Sequence, residues 1–207
     1  MKKYIYYWSP CLDKVGTVKS TLNSALSVSK FSNDFEVKII NVFGEWNEHK
    51  KIFAKHNIEI IDLSFNYYNL LPKKGFFYSR LSYIVIILLS IIPLFFLLKK
   101  NKPDILIAHL ITSLPLIFFN IFNFNTKLIL RISGFPKLNY FRKILWKKSN
   151  QKLFKVTCPT IELLEKLKKI DIFTKDKLFY LQDAIIDINE FKLKLKEENF
   201  LPKIDLK

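Results

Sequence analysis

Apolar positions along this chain follow two alternating rhythms, short unbroken runs and longer stretches with helical spacing. Residues 4–8 form one unbroken run, ended by Ser9-Pro10, and predict a strand starting almost at the N-terminus. After a loop through Asp13 and Gly16, the spacing of Val18, Leu22, Leu26 and Phe31 predicts a helix with one apolar face. A turn at Asn33-Asp34 leads into a strand over 35–43, residues 47–56 read as a solvated helix, and 58–63 read as a third strand. Beyond a long apolar segment the alternation resumes. It predicts a strand from Ile105, a helix over 113–122, a strand over 127–132, a basic helix over 138–148 and a strand over 153–158. Thr160 then caps a helix carrying Leu163, Leu164 and Leu167, before a short strand at 178–181.

Strand–helix–strand repetition with strands apolar on both faces implies a parallel sheet covered on each side, the doubly wound, Rossmann-like α/β class. No internal repeat is present. Residues 1–190 are expected to form this one domain, and 191–207, where Lys and Leu alternate without a terminal cap, to begin a linker.

Residues 81–98 carry no charge and, as a helix, extend about 27 Å, close to the hydrocarbon thickness of a bilayer. Basic residues flank both ends, Lys73, Lys74 and Arg80 before and Lys99, Lys100 and Lys102 after, so neither end is marked as the outside. Spanning would also separate the strands on either side of it. The expectation is therefore a helix lying in or shallowly inserted into a membrane surface, ahead of a buried core helix, with a true span last. The second apolar run, with Phe118, Phe119, Phe122 and Phe124, either extends that surface or belongs to the core.

Composition changes this picture in one respect. Against 18 Asp and Glu stand 34 Lys and Arg, a net charge of +16, which favours anionic partners. Lysine, isoleucine and asparagine enrichment of the kind an AT-rich gene produces accounts for part of the excess. No nucleic-acid-binding motif accompanies the charge, so nucleic acid is not expected as a partner. Cys11 and Cys158 form no metal-ligand or disulfide pattern, and the N-terminus lacks the apolar run of a secretory signal; a reducing cytoplasm is the expected compartment.

Candidate chemistry gathers where strands end. In Lys102-Pro103-Asp104-Ile105-Leu106-Ile107-Ala108-His109, a turn opens an apolar strand and His109 arrives at its carboxyl end, the edge at which α/β sheets bind ligands. The loop 9–17, with Gly16 and Thr17, joins a strand to a helix start suited to a phosphate or sugar hydroxyl, although one glycine makes neither a GxGxxG nor a Walker loop. Arg131-Ile132-Ser133-Gly134 ends another strand. An arginine in a lysine-rich chain points to planar contact with a phosphate or carboxylate, or else to a surface ion pair. Cys158 reads as a small buried residue, and His49 and His56 as solvated side chains rather than metal ligands. Hydrolase, kinase and zinc-protease signatures are absent.

Together, YIYYWSPCLDKVGTVKSTLNSAL, KPDILIAHLITSLPLI, LILRISGFPKL and KVTCPTIELLEKL resemble the N-terminal, acceptor-side half of a glycosyltransferase family 4 enzyme of the GT-B fold. The resemblance implies that Gly16 and Thr17 line the acceptor side of the cleft and that His109 contacts the transferred sugar near its reacting centre. It implies that Arg131, Ser133 and Gly134 face the same cleft and bind substrate. It further implies a retaining, metal-independent transfer from a nucleotide-sugar co-substrate to a lipid-linked or surface-polysaccharide acceptor, at the cytoplasmic face of the membrane. The family's second domain, which holds most of the nucleotide-sugar, has no counterpart in these residues, so the chain is expected to be inactive or weak unless a separate donor-binding domain joins it. A non-enzymatic, membrane-anchoring subunit that presents the acceptor is the alternative.

Overall fold

A computed structural model describes residues 2–12, 16–64, 66–73, 75–184 and 188–195. Seven parallel strands, β1 (Lys3–Trp8), β2 (Phe35–Asn41), β3 (Glu59–Asp62), β4 (Ile105–Ala108), β5 (Lys127–Arg131), β6 (Leu153–Cys158) and β7 (Leu178–Tyr180), form one sheet in the order β3-β2-β1-β4-β5-β6-β7. The helices are α1 (Gly16–Phe31), α2 (Lys50–Lys55), α3 (Phe76–Asn101), α4 (Ser113–Ile121), α5 (Tyr140–Ser149), α6 (Ile161–Lys169) and α7 (Ile188–Leu195). Strand order reverses between β1 and β4. Because parallel crossovers are right-handed, α1 and α2 cover one face while α3 to α6 cover the other. The buried side chains divide accordingly. Ile5, Tyr7, Val37 and Ile39 pack with Val18, Ala25 and Phe53, whereas Tyr6, Trp8, Ile40 and Leu106 pack with Ile86, Leu94, Leu116 and Leu167.

This is the doubly wound α/β class expected from the sequence, with local differences. Phe31 is exposed, because a residue thirteen positions after Val18 lies about 220° round the helix and so on its far side. β2 stops at Asn41 rather than at 43, since the Glu45 carboxylate accepts the N–H groups of Val42 and Phe43 at 2.9–3.1 Å. A short 3-10 turn, Asn47–His49, precedes α2 in the stretch read as one helix, and α5 begins at Tyr140, where Asn139 Oδ1 accepts the Arg142 N–H at 2.8 Å. Residues 191–195 belong to α7, and the rest of the stretch expected to be a linker, 196–207, lies outside the described residues, as do Asp13 and Lys74.

The long apolar segment is α3, the crossover between β3 and β4. At 26 residues it is about 39 Å long, well beyond its four-residue neighbours in the sheet. Ser82, Ile86, Ser90, Leu94 and Leu98, four residues apart, form a buried stripe against the sheet face. Both serines satisfy their hydroxyls on backbone carbonyls, Ser82 on Pro72 and Tyr78, Ser90 on Ile86. The outer face, with Leu81, Ile84, Leu88, Ile92 and Phe96, is exposed. Of the second apolar run, Phe118 and Phe119 are buried, while Ile117 and Ile121 are exposed on α4 and Phe122 is exposed just after it; the Phe122 ring lies 4.8 Å from that of Phe95 on α3.

Candidate active-site cleft

The carboxyl ends of β4 and β5 open between α4 and α5 into a cleft of about 520 Å³, beside the point where strand order reverses. His109 is held there by continuation of the strand ladder, its N–H donating to the Trp8 carbonyl at 2.9 Å. The ring is buried at the base of the cleft, with each nitrogen engaged by a hydroxyl. Nδ1 lies 2.9 Å from Thr21 Oγ1 and Nε2 meets Ser133 Oγ. Since the single Thr21 hydroxyl proton is donated to Ser9 Oγ at 3.2 Å, Thr21 accepts from Nδ1–H, and Nε2 is left as acceptor for Ser133. Burial first, then the nearby Arg131 charge, lowers the His109 pKa from 6.5 to about 4 against the opposing pull of Asp183. The imidazole is therefore neutral at physiological pH. It can hold a hydroxyl at Nε2, in the place Ser133 occupies, but has no proton to donate from that nitrogen.

Arg131, at the end of β5, is buried and lines the cleft. Its Nη2 donates to Asp183, in the chain that turns back after β7, so the surface-pair reading of this arginine is replaced by a pair between a buried guanidinium and a half-buried carboxylate. Burial raises the Asp183 pKa, but the Arg131 hydrogen bond, the Ser20 hydroxyl and the Arg131 charge outweigh it and hold the carboxyl below the ordinary range. Arg131 Nε is buried with no partner among the described residues.

Ser133 and Gly134 line the cleft with His109 and Arg131. Gly16 and Thr17 do not. They start α1 one turn before Thr21, on the same sheet edge, and reach the cleft only through the Thr21–His109 bond. A Cβ would meet nothing within 4 Å at Gly16 or Gly134, so neither position requires glycine for packing. Cys158 is fully buried, its thiol 3.5 Å from the Phe179 carbonyl and its pKa raised by burial, which fits a small core residue. Among the described residues no group of three or more His, Cys, Asp or Glu side chains is arranged to hold a metal ion.

Sequence reading missed Asp183, which orients Arg131, Thr21 and Ser9, which orient the His109 imidazole, and Arg142, Ile111 and Trp146, which line the cleft. For Thr21, its position four residues after Thr17 on one helix face was a usable signal. For Asp183, in a polar stretch, there was none.

No protein-family model matches this chain, and no curated protein matches it by sequence. Solved structures do. UDP-GlcNAc 2-epimerase from Neisseria meningitidis, bound to UDP-GlcNAc, aligns with a TM-score of 0.59 at 16% identity, over 97% of this chain and 52% of that one. The fold is GT-B-like. UDP-N-acetylglucosamine 2-epimerase from Rickettsia bellii aligns at 0.57 with 13% identity, over 96% and 50% of the two chains. CalG4, the calicheamicin glycosyltransferase, aligns at 0.53 with 10% identity, over 88% and 53%. The chain thus spans about half the length of these proteins.

Proposed function

We propose that this chain is the acceptor-side half of a sugar-transferring enzyme. The reaction proposed is transfer of a sugar from a nucleotide-sugar to a lipid-linked or surface-polysaccharide acceptor with retention of configuration and without a metal. The observation that carries the reading is the cleft at the strand-order reversal of a GT-B-like sheet, with a neutral imidazole, a buried arginine and a serine hydroxyl converging at its base. The Neisseria structure, which holds UDP-GlcNAc, supports a nucleotide-sugar as co-substrate. Retention and metal independence rest on the resemblance to family 4. In this reading a hydroxyl of the transferred sugar takes the place of Ser133 on Nε2, Arg131 and Ser133 orient the acceptor, and most donor contacts come from a second domain. Catalysis is then positional and electrostatic. Gly16 and Thr17 act at the rim of the site, beside the helix that carries Thr21.

The same reading places the chain at the cytoplasmic face of the membrane, held peripherally on anionic lipid by the outer face of α3. Exposed leucine, isoleucine and phenylalanine side chains there, with lysines at the helix end, support it.

The experiment is transfer of label from radioactive nucleotide-sugars to lipid-extractable or polymeric product in membranes from cells expressing the chain. His109→Ala is expected to lower transfer about a hundredfold at unchanged protein level; unaltered transfer removes His109 from the site. Because the chain covers about half of its structural neighbours, a second reading is a non-catalytic subunit that presents the acceptor to a separate enzyme. It predicts transfer that requires the chain but is indifferent to His109→Ala.

A further inference from the structure

We infer that Asp183 is an internal stand-in for a substrate phosphate: in the free protein it fastens the chain leaving β7 to Arg131, and a phosphate that takes Arg131 releases that chain. The inference rests on the reading above, in which Arg131 orients substrate, and adds that filling the site loosens the segment beyond the sheet.

The pair is incomplete as it stands. A guanidinium meets an oxyanion best side-on, through two parallel N–H···O bonds. The bond from Arg131 to Asp183 uses Nη2 and one oxygen, Oδ1. Nε, whose N–H points to the same side of the guanidinium as Nη2, is buried and has no partner among the described residues. Neither has Oγ1 of Thr157, the residue that faces Arg131 in the register of β5 and β6. Two buried polar groups beside this carboxylate are therefore left unsatisfied, which is costly. A group with three oxygens matches them better than Asp183 does.

Exchange is favoured over joint occupancy. Among the described residues Arg131 is the one lysine or arginine that pairs with Asp183. A phosphate drawn to Arg131 would set two like charges on a single cation in a site shielded from water. Release of Asp183 breaks little else. The last backbone hydrogen bond of the returning chain runs from the Leu181 N–H to the Cys158 carbonyl at 2.9 Å, and Gln182, Asp183 and Ala184 make none among the described residues. Leu181 and Gln182 are exposed, and farther along α7 leaves Phe191, Leu193 and Leu195 exposed. Because coupling is reciprocal, a latch that opposes the ligand is opposed by it to the same extent.

The test places spin labels at Lys30→Cys, in the last turn of α1, and at Gln182→Cys, both exposed positions in a chain whose own Cys11 and Cys158 are buried. The distance distribution is recorded for the free protein, with millimolar inorganic pyrophosphate, and with sodium chloride at equal ionic strength. It is expected to be narrow in the free protein, to broaden with pyrophosphate and to stay narrow in chloride. Asp183→Asn, which keeps the size and removes the charge, should give the broad distribution without ligand and bind pyrophosphate about tenfold more tightly. Asp176→Asn makes the same change of charge at an exposed position just before β7 and should do neither. A distribution that pyrophosphate or Asp183→Asn leaves unmoved, or equal pyrophosphate affinity in the two variants, overturns the proposal. The pyrophosphate arm uses the native Asp183 and so is independent of how well Asp183→Asn folds. A distance unmoved by pyrophosphate with His109-dependent transfer intact defeats this inference alone; release of the latch without any transfer defeats the glycosyltransfer reading alone.

Discussion

Two buried side chains give this protein opposing responses to pH. Glu45 is buried at the end of β2, and burial raises its pKa from 4.5 to about 7 despite the backbone N–H groups of Phe43 and Val42 that favour its anion. The folded protein thus binds the Glu45 proton more tightly than the unfolded chain, and that stabilisation, complete below pH 4.5, is lost as pH rises through about 7. His109 behaves inversely. Its pKa is lowered from 6.5 to about 4, so its contribution is complete above pH 6.5 and is lost as pH falls through about 4. Each amounts to roughly 3 kcal/mol over its window, so in the wild type they largely cancel. Glu45→Gln should therefore gain stability relative to wild type as pH rises from 4.5 to 7, and His109→Gln should gain as pH falls from 6.5 to 4. Urea unfolding at several pH values measures both, and a pH-independent offset in either variant would show that its group titrates as in an unfolded chain. Neither environment could be read from sequence. Glu45 falls between the strand read over 35–43 and the solvated helix read over 47–56, and only the turn at Gly44 folds it under β2. That turn has φ 102°, and a side chain there would collide with Asn66.

At the scale of elements, α3 carries two apolar faces with different duties. Ile86 lies in the stripe buried against the sheet, and Ile86→Ala should cost about 2–5 kcal/mol through the cavity it leaves. Leu88 and Ile92 face outward, so replacing both by serine should change stability by no more than about 0.5 kcal/mol per site. The same pair should matter for lipid. Co-sedimentation with vesicles containing phosphatidylserine is expected to fall several-fold in Leu88→Ser/Ile92→Ser, whereas vesicle binding equal to wild type would remove the outer face of α3 from membrane contact. Hydropathy alone could not assign these duties, because both faces are apolar and the segment passes the length and composition test for a span. The sheet divides them: about a third of the apolar window is buried against it and the rest is not. The strands, by contrast, were legible. Residues 153–158 were delimited to the residue, since the run Leu153-Phe154-Lys155-Val156-Thr157-Cys158 is bounded by the turn residues Ser149-Asn150 before it and Pro159 after it.

Over the whole molecule, a charge of +16 adds a long-range attraction to whatever the apolar faces bind. Association with anionic vesicles should therefore weaken as salt is raised from 0.05 to about 0.5 M, where the screening length falls well below 10 Å, and a residue of binding due to apolar contact should persist. Salt-insensitive association would assign the attachment to α3 alone, and complete loss would assign it to lysine alone. Much of this molecule follows from sequence by short-range physics. Apolar runs and caps fix the strands and helices, the right-handed crossover fixes their layering, and both place His109, Arg131 and Ser133 at the carboxyl edge of the sheet, where ligands bind. What surrounds those groups is a matter of tertiary packing. That Thr21 sets the tautomer of His109, that Asp183 returns from beyond β7 to Arg131, and that Arg142 joins Arg131 in one cleft while Gly16 and Thr17 stay outside it all depend on residues far apart in the chain. Local spacing carries the period of a helix or strand. It does not carry the distance between two loops, which is decided only when the sheet brings their ends together.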